Sequence, residues 1–330
     1  MKEARLWTLA LALCAAGCAT APQPPQPAPR SSLEVAELRS ALESARIGPL
    51  VAAPPPTADV DAAVSMAIPQ NPAVRSALAY FTTELKTDVQ RSLTRSSQYR
   101  AAIDRALEAN KLPKALAYLP VIESAYSETM ISRAGARGMW QIMPETARDY
   151  GLRVDRWIDE RADPELATKA AAEYLADLYR DFRDWPLALA AYNAGAARIH
   201  RALEETQSKT FWELLELQAI PKETRGYVPT FYATVIIATD PSAYGFHLSD
   251  AARDSDVRRI DVEGPLSLKT VARQAHMKET TLRDLNPVLR KGVVPRGTRV
   301  WLRVPSGSAE KLARVLRNNR PSDRILTGGM

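Results

Sequence analysis

Glu123 is a carboxylate standing where the local pattern asks for a hydrocarbon. From Leu112 to Tyr126 the apolar residues Leu112, Leu116, Leu119 and Ile122 recur at spacings of three and four, the period of one buried helix face. Glu123 falls seven residues after Leu116 and four after Leu119, so on a continuous helix it shares their inward stripe. Burial strips such a group of its hydration, which disfavours the ionised form and raises its pKa. A glutamate still protonated at neutral pH is a proton donor, the group that cleavage of a glycosidic bond calls for. Two plainer readings stand beside this one: a salt-bridged glutamate, or a glutamate at a helix end. Pro120 bears on the choice, since a proline there kinks the helix or restarts it just before the glutamate.

The residues downstream of Glu123 narrow the chemistry. The chain reads Glu123-Ser124-Ala125-Tyr126, then Gly138-Met139-Trp140-Gln141-Ile142-Met143-Pro144, then Ala191-Tyr192-Asn193-Ala194-Gly195, then Glu223-Thr224-Arg225-Gly226-Tyr227-Val228-Pro229. That order and spacing resemble the soluble-lytic-transglycosylase catalytic domain, most closely its membrane-bound lytic murein transglycosylase D type. The resemblance covers roughly residues 111 to 245 and has a second, weaker part at the C-terminus. It implies a lysozyme-like, mostly helical fold whose groove holds the glycan strand of peptidoglycan.

The resemblance also implies a role for each matched residue. Glu123 is the expected catalytic acid, and Ser124, Met139, Gln141, Tyr192, Asn193 and Tyr227 are the expected substrate-binding residues. Ser124 would orient the acid by hydrogen bonding; a serine beside a helical glutamate is otherwise simply solvated. The Gln141 amide can bond acetamido or hydroxyl groups of a sugar. Met139-Trp140 stands where Leu-Met is usual, a mild departure, and Trp140 is either a sugar-stacking wall or, flanked by Met139 and Ile142, a core side chain. Asp184 to Gly195 reads as a helix with proline in its first turn and glycine at its end, which leaves Tyr192 and Asn193 near a helix C-terminus facing a cleft. Gly195 itself reads as a cap. Tyr227 is expected to reach the acid with its hydroxyl, or else to pack with Phe231, Tyr232 and Val235.

A hydrolase of the usual glycosidase plan needs two carboxylates flanking the bond. No second acid recurs within the four motifs; Glu128, Glu145 and Glu223 are near in sequence but sit in polar settings where exposure is expected. The resembled family uses one glutamate twice, first to protonate the leaving oxygen and then to take the proton of the muramoyl 6-hydroxyl, which yields a 1,6-anhydro sugar. The expected reaction is therefore a lyase cut at the β-1,4 bond between N-acetylmuramic acid and N-acetylglucosamine. A hydrolytic, muramidase-type enzyme on the same fold and a non-catalytic peptidoglycan-binding lipoprotein are the alternatives. Hydrolysis gains weight if Glu223 faces Glu123 across the cleft, and the retained acid argues against a pure binder.

The elements around these motifs supply address and support. Lys2 and Arg5 precede an apolar run from Leu6 to Ala16 that is too short to span a bilayer, which reads residues 1–17 as a signal peptide. Ala15-Ala16-Gly17-Cys18 resembles a bacterial lipoprotein signal, with Cys18 the expected lipidation site, Cys14 a second candidate, and release as a soluble periplasmic protein the other outcome. Ala19 after the cysteine implies a protein lipid-anchored to the outer membrane and facing the periplasm. Cleavage before Cys18 leaves no cysteine pair for a disulfide. The scattered His200, His247 and His276 make no transition-metal site, so neither a metal nor any cofactor is expected. The formal charge of +6, or +5 without Lys2, Glu3 and Arg5, suits an anionic polymer or lipid headgroups. Nucleic acid is disfavoured by the export signal and by the dispersion of the positive charges. The expected partners are thus peptidoglycan glycan strands and, through the anchor, a membrane; the sequence names no protein partner.

Residues 18–60 read as a lipidated cysteine and a proline-rich tether, with a helix-like interlude from Ser32 to Arg46. A helical extension, 61–110, comes next, opening at Asn71-Pro72 and running to about Ala109 with Val74, Leu78, Phe81, Leu85 and Val89 on its packing face. The catalytic domain is expected at 111–247 and a small βααβ module at 256–306, ahead of a C-terminal tail, 307–330. The module's strand at Val257 to Val262, helices at about Leu266–His276 and Glu279–Leu285, and strand at Thr298–Val304 resemble a degenerate lysin-motif (LysM) fold, which binds N-acetylglucosamine-containing glycans in its intact form. Gly264-Pro265-Leu266-Ser267-Leu268 departs from the usual pattern, so a docking role against the catalytic domain stands equal to sugar binding. The fold class expected is mainly α, with this one small strand-containing unit.

Overall fold

Helix formation begins at Asn71-Pro72, where the helical extension was expected to open. In the computed structural model, which describes residues 66–248 and 257–318, the Asn71 side chain accepts a 3.0 Å hydrogen bond from the Val74 N–H, and proline occupies the first turn of α1, Pro72–Thr82. The expected signal peptide, Cys18, the expected tether and the Ser32–Arg46 stretch lie outside the described residues. The expected single helical stretch to Ala109 is instead three helices: α1, α2 (Lys86–Ser96) and α3 (Arg100–Ala109). At the first break the Thr82 and Thr83 hydroxyls donate back to the carbonyls of Leu78 and Ala79, local bonds that compete with helix continuation. The predicted apolar face survives the breaks, with Val74, Leu78, Phe81, Leu85 and Val89 all buried.

Pro120 restarts the helix that carries the glutamate. Lys114–Tyr118 is a turn of 3₁₀ helix, and α4 (Leu119–Ser124) then begins with proline in its first turn, where the missing N–H costs nothing. The inward stripe is nonetheless kept: Leu116 and Leu119 are fully buried. The chain reverses directly after α4 through two left-handed residues, Ala125 and Tyr126, at φ of 50° and 60°. Tyr126 is held there by its hydroxyl, which donates to the Ala117 carbonyl, and by stacking on Tyr99 at 5.9 Å.

The rest of the helical unit comprises α5 (Pro144–Asp149), α6 (Pro164–Phe182), α7 (Trp185–Ala194), α8 (Ala196–Thr206), α9 (Phe211–Glu216) and α10 (Lys222–Thr239). Asp163 and Asp184 cap α6 and α7 by accepting from backbone N–H groups, and Thr210 and Glu213 form a reciprocal capping box on α9. The helices α6 and α7 pack together and both are rich in buried alanines: Ala167, Ala170 and Ala171 on one, Ala188, Ala190 and Ala191 on the other. Side chains this small let the two backbones approach closely, and α10 then packs across α7 and against α1. Among the described residues no helix is long and apolar enough to cross a membrane.

The C-terminal unit has its own core. Strands β1 (Val257–Glu263) and β4 (Arg299–Pro305) pair antiparallel with Ile260 opposite Leu302. Between them come a two-residue ribbon, β2 (Leu266–Ser267) with β3 (Val293–Val294), and two helices, α11 (Leu268–Gln274) and α12 (Glu279–Leu285). The expected strand, two helices and strand are present, with the first helix starting later than predicted because Leu266 and Ser267 extend as β2. The expected tail is in part a helix, α13 (Ala309–Asn318): Leu312 and Leu316, four apart, are buried in the module's core.

Candidate active site

Glu123 lies near the C-terminus of α4 with 5 % of its surface exposed. Burial drives its pKa up; the Tyr227 hydroxyl, donating to Oε1, pulls it part of the way back, and the negative charge of Glu223 raises it again, to about 8 in all. The carboxyl is therefore protonated at neutral pH. With Oε1 accepting from Tyr227, the other oxygen is the one left to carry the proton toward a ligand.

Tyr227 comes from the first half of α10 and is itself 1 % exposed, so the two expectations for it hold together: it packs, and its hydroxyl reaches the acid. Glu223 sits four residues earlier on the same helix, hence on the same face. It is half-buried, contrary to the exposed setting expected from its polar neighbours. Glu128, by contrast, is engaged elsewhere, accepting from Tyr99 and Arg303, and Glu145 is exposed on α5.

A tight turn between Arg137 and Ile142 closes the other side. The backbones of these two residues exchange hydrogen bonds at 3.1 and 3.2 Å, and Gly138 and Gln141 adopt left-handed φ of 81° and 48°. Gly138 is required there, because a Cβ would stand 1.9 Å from the Arg161 carbonyl oxygen. The turn offers its carbonyls inward: Ser124 Oγ donates to Met139 O at 2.8 Å and the Tyr192 hydroxyl to Trp140 O at 2.7 Å. Ser124 thus bonds to the turn, where a direct bond to Glu123 was expected. Fully buried, it also accepts from the Ser127 N–H at 3.1 Å. The Met139 side chain is buried in the core, which leaves it no surface to offer a substrate. Trp140 takes the packing alternative: it is fully buried and its indole N–H donates to Thr168 Oγ1 at 2.8 Å.

Gln141, Tyr192 and Asn193 come together in one open pocket of about 280 Å³, whose walls also include Met143, Tyr174, Arg198, Glu223 and Thr224. The Gln141 amide nitrogen donates to Gly138 O and Met130 O, so its carbonyl oxygen is the atom turned to a ligand. Asn193 bridges α7 and α10: Nδ2 donates to Glu223 Oε1 at 3.3 Å and Oδ1 accepts from Thr224 Oγ1 at 2.9 Å. Gly195 caps α7 at φ 88°. Glu123 and Tyr227 do not line this pocket; Glu223 connects it to them, lining the one and bearing on the charge of the other. Sequence reasoning passed over Glu223 as a site residue, although its four-residue spacing from Tyr227 is the signal that places both on one face. Among the described residues no three His, Cys, Asp or Glu side chains converge as metal ligands.

A buried acid of raised pKa thus stands beside a polar pocket on a mainly helical frame, and comparison with known proteins gives that arrangement its relatives. Residues 100–215 match the Transglycosylase SLT domain family and residues 256–319 the family described as Lytic transglycosylase MltD, LysM-like domain. The chain carries an SLT-type transglycosylase domain followed by an MltD-type LysM-like module. Among curated relatives it is similar to Membrane-bound lytic murein transglycosylase D of Escherichia coli (strain K12), at 29% identity over 258 residues, 77% of this chain and 56% of that protein. It is also similar to the Peptidoglycan transglycosylase gp16 of Escherichia phage T7, at 36% identity over 135 residues, 40% of this chain and 10% of that protein. The chain spans about half the length of the first of these relatives. Among solved structures, the 70 kDa soluble lytic transglycosylase of Escherichia coli aligns at a TM-score of 0.40 and 24% identity, covering 51% of this chain and 28% of that one.

Proposed function

We propose that this chain cleaves the β-1,4 bond between N-acetylmuramic acid and N-acetylglucosamine of peptidoglycan as a lytic transglycosylase, leaving 1,6-anhydromuramoyl ends. The observation that carries this reading is the buried Glu123 carboxyl, protonated up to a pKa of about 8 and anchored through Oε1 by Tyr227. The SLT domain match and the activities that the relatives' names state support it.

In this reading Glu123 gives its proton to the glycosidic oxygen as the C1–O bond breaks, and N-acetylglucosamine leaves with a free 4-hydroxyl. Glu123, now a carboxylate, takes the proton of the muramoyl 6-hydroxyl as that oxygen bonds to C1. The acid is regenerated in its starting form and no water is consumed. Tyr227 suits both halves, since its hydroxyl bonds the neutral acid and stabilises the transient carboxylate. Gln141, Tyr192 and Asn193 line the groove for the sugar, Ser124 and the Met139 backbone acting one step behind them through the turn.

A specific observation favours a second reading, hydrolysis. Glu223 lines the same pocket and its charge is felt at Glu123, so a second carboxylate is within reach of a water. We place it second because Glu223 Oε1 is engaged by Asn193. Digestion of purified sacculi by the wild type, Glu123→Gln and Glu223→Gln, with muropeptides resolved by mass spectrometry, separates the two. Anhydro ends from the wild type and from Glu223→Gln, absent with Glu123→Gln, support the transglycosylase. Reducing ends lost in both variants mean hydrolysis, and no product from a folded wild type leaves a glycan-binding protein.

For location, the Lys2 and Arg5 flanked apolar run, Cys18 and the adjoining proline-rich stretch support a protein lipidated at Cys18 and held to the outer membrane on its periplasmic side. The relative's name, membrane-bound, agrees with that. Metabolic labelling with a palmitate analogue, lost on Cys18→Ser, tests the anchor.

A further inference from the structure

The C-terminal module reaches the site through a buried ion cluster. Asp159, Arg161 and Arg137 are 1 %, 5 % and 8 % exposed. Arg161 holds Asp159 through Nε and Nη2 at 2.9 and 2.8 Å, and its Nη1 donates to the carbonyls of Gly135, just ahead of the groove turn, and Ile142, the turn's last residue. Arg137, the first residue of that turn, shares Asp159 at 3.2 Å. Two guanidinium cations thus face one carboxylate, and the surplus positive charge needs further acceptors. One comes from the module: Pro287 O accepts from Arg137 Nη2 at 2.9 Å. Even so, Arg137 Nε stays buried without a partner, so the loss of any remaining acceptor would be costly.

Pro287 is fixed in place by the same strand of contacts. The Asp159 N–H donates to Val288 O at 3.0 Å, Ile158 forms a β-bridge with Leu289, and the Arg290 N–H donates to Trp157 O at 2.9 Å. Ile158, a residue of the catalytic domain's sequence, is buried in the module's own hydrophobic core with Leu282 and Leu289. A second anchor stands apart, where Arg303 of β4 meets Glu128 at 2.8 Å.

We infer that the module is part of the frame of the active site, and that Arg137 is a positioning residue through which its docking holds the turn presenting Met139 O, Trp140 O and Gln141. The turn in turn fixes Ser124 and Tyr192, so a displacement of Arg137 reaches both sides of the groove. A module that only tethered the enzyme to glycan would leave this turn as it is. The catalytic part of the inference rests on the transglycosylase reading; the structural part does not.

The test uses the full chain with Ile158→Ala, which weakens docking from the module's core, and with Arg137→Met and Arg137→Lys. Amide exchange of Gln141 and Ile142 is read against α6 as internal reference, beside kcat and KM on a muropeptide tetrasaccharide, too short to bridge to a distant module. The expected result is exchange in the turn at least about tenfold faster in Ile158→Ala and Arg137→Met with α6 unchanged. A kcat lower by about tenfold or more at nearly constant KM should accompany it, with Arg137→Lys intermediate. If Ile158→Ala speeds exchange at residues 286–290 but leaves the turn protected, the inference is overturned. A uniform rise that includes α6 also overturns it, since Arg137 is then only a stability residue. Should the wild type make no product, the exchange arm still decides whether the module holds the turn.

Discussion

Tyr227 donates its phenolic hydrogen to Oε1 of Glu123, joining the first half of α10 to the end of α4 across the buried floor of the site. This bond favours the ionised carboxyl, whereas burial and Glu223 oppose ionisation. The two neighbours of the acid therefore move its pKa in opposite directions. Because the proton must be on Glu123 for the first step, kcat/KM should fall as pH rises through about 8. Tyr227→Phe should move that basic limb to higher pH while lowering the rate, and Glu223→Gln should move it to lower pH. Profiles from pH 5 to 10 on one soluble substrate decide this, and limbs moving in the same direction would refute the assignment.

The same burial makes Glu123 a cost to the fold. A carboxyl whose pKa is raised on folding, here from 4.5 to about 8, leaves stability intact below pH 4.5 and removes it progressively as pH rises toward 8. Glutamine keeps the acceptor for Tyr227 but does not titrate. Glu123→Gln should therefore be more stable than the wild type by about 3 kcal/mol at pH 7, with the gap closing by pH 4. Urea midpoints of the two proteins at both pH values measure it; a gap independent of pH would mean that the carboxyl is not desolvated as described.

Gly138 in the groove turn and Gly135 just ahead of it offer a controlled comparison. Both have left-handed φ, 81° and 89°, but a Cβ on Gly138 would lie 1.9 Å from Arg161 O while one on Gly135 meets nothing within 4 Å. Gly135→Ala should cost only the backbone term, about 1–2 kcal/mol. Gly138→Ala should cost more than about 3 kcal/mol, because backbone must move, and should abolish activity with the displaced turn. Equal losses in thermal unfolding would show that the contact with Arg161 yields freely.

How much of this was legible in the sequence depends on the range of the signal. Local rules placed the helix starts at Asn71-Pro72 and Asp184, the end of α7 at Gly195 and the apolar face from Val74 to Val89, since each is decided within one or two turns. The stripe through Leu116 and Leu119 rightly brought Glu123 inward even though Pro120 broke the helix. What failed was partnership across the fold. Ser124 was matched to its sequence neighbour but bonds fifteen residues away, and Glu223 read as exposed because nothing local reports that Asn193 of another helix caps it. Arg137, Asp159 and Arg161 drew no reading from the sequence, since nothing local reports that they pair with one another or that Pro287 of the module accepts from Arg137. The helix at Ala309–Asn318 was readable, since Leu312, Val315 and Leu316 carry the helical spacing, but it was absorbed into a tail.

Asp159 gives the opposite pH signature to Glu123. Burial pushes its pKa up, but the hydrogen bonds and charges of Arg161 and the charge of Arg137 outweigh that and hold it below the usual 3.8. A depressed pKa contributes stability above 3.8 that is lost only as pH falls through the lower folded value. Asp159→Asn removes the one carboxylate between two buried guanidinium groups and should destabilise the chain by about 3–5 kcal/mol at pH 7, the penalty of leaving buried charge uncompensated. Because Asp159 also donates its backbone N–H to Val288 O, the loss should spread to the module and appear as faster exchange at residues 286–290. Urea midpoints against pH measure the first part. The Asp159→Asn deficit should hold steady from pH 7 down to about pH 4 and shrink below it, whereas the Glu123→Gln gain disappears over that same upper range; a deficit that shrank in step with that gain would place Asp159 outside the ion cluster's control.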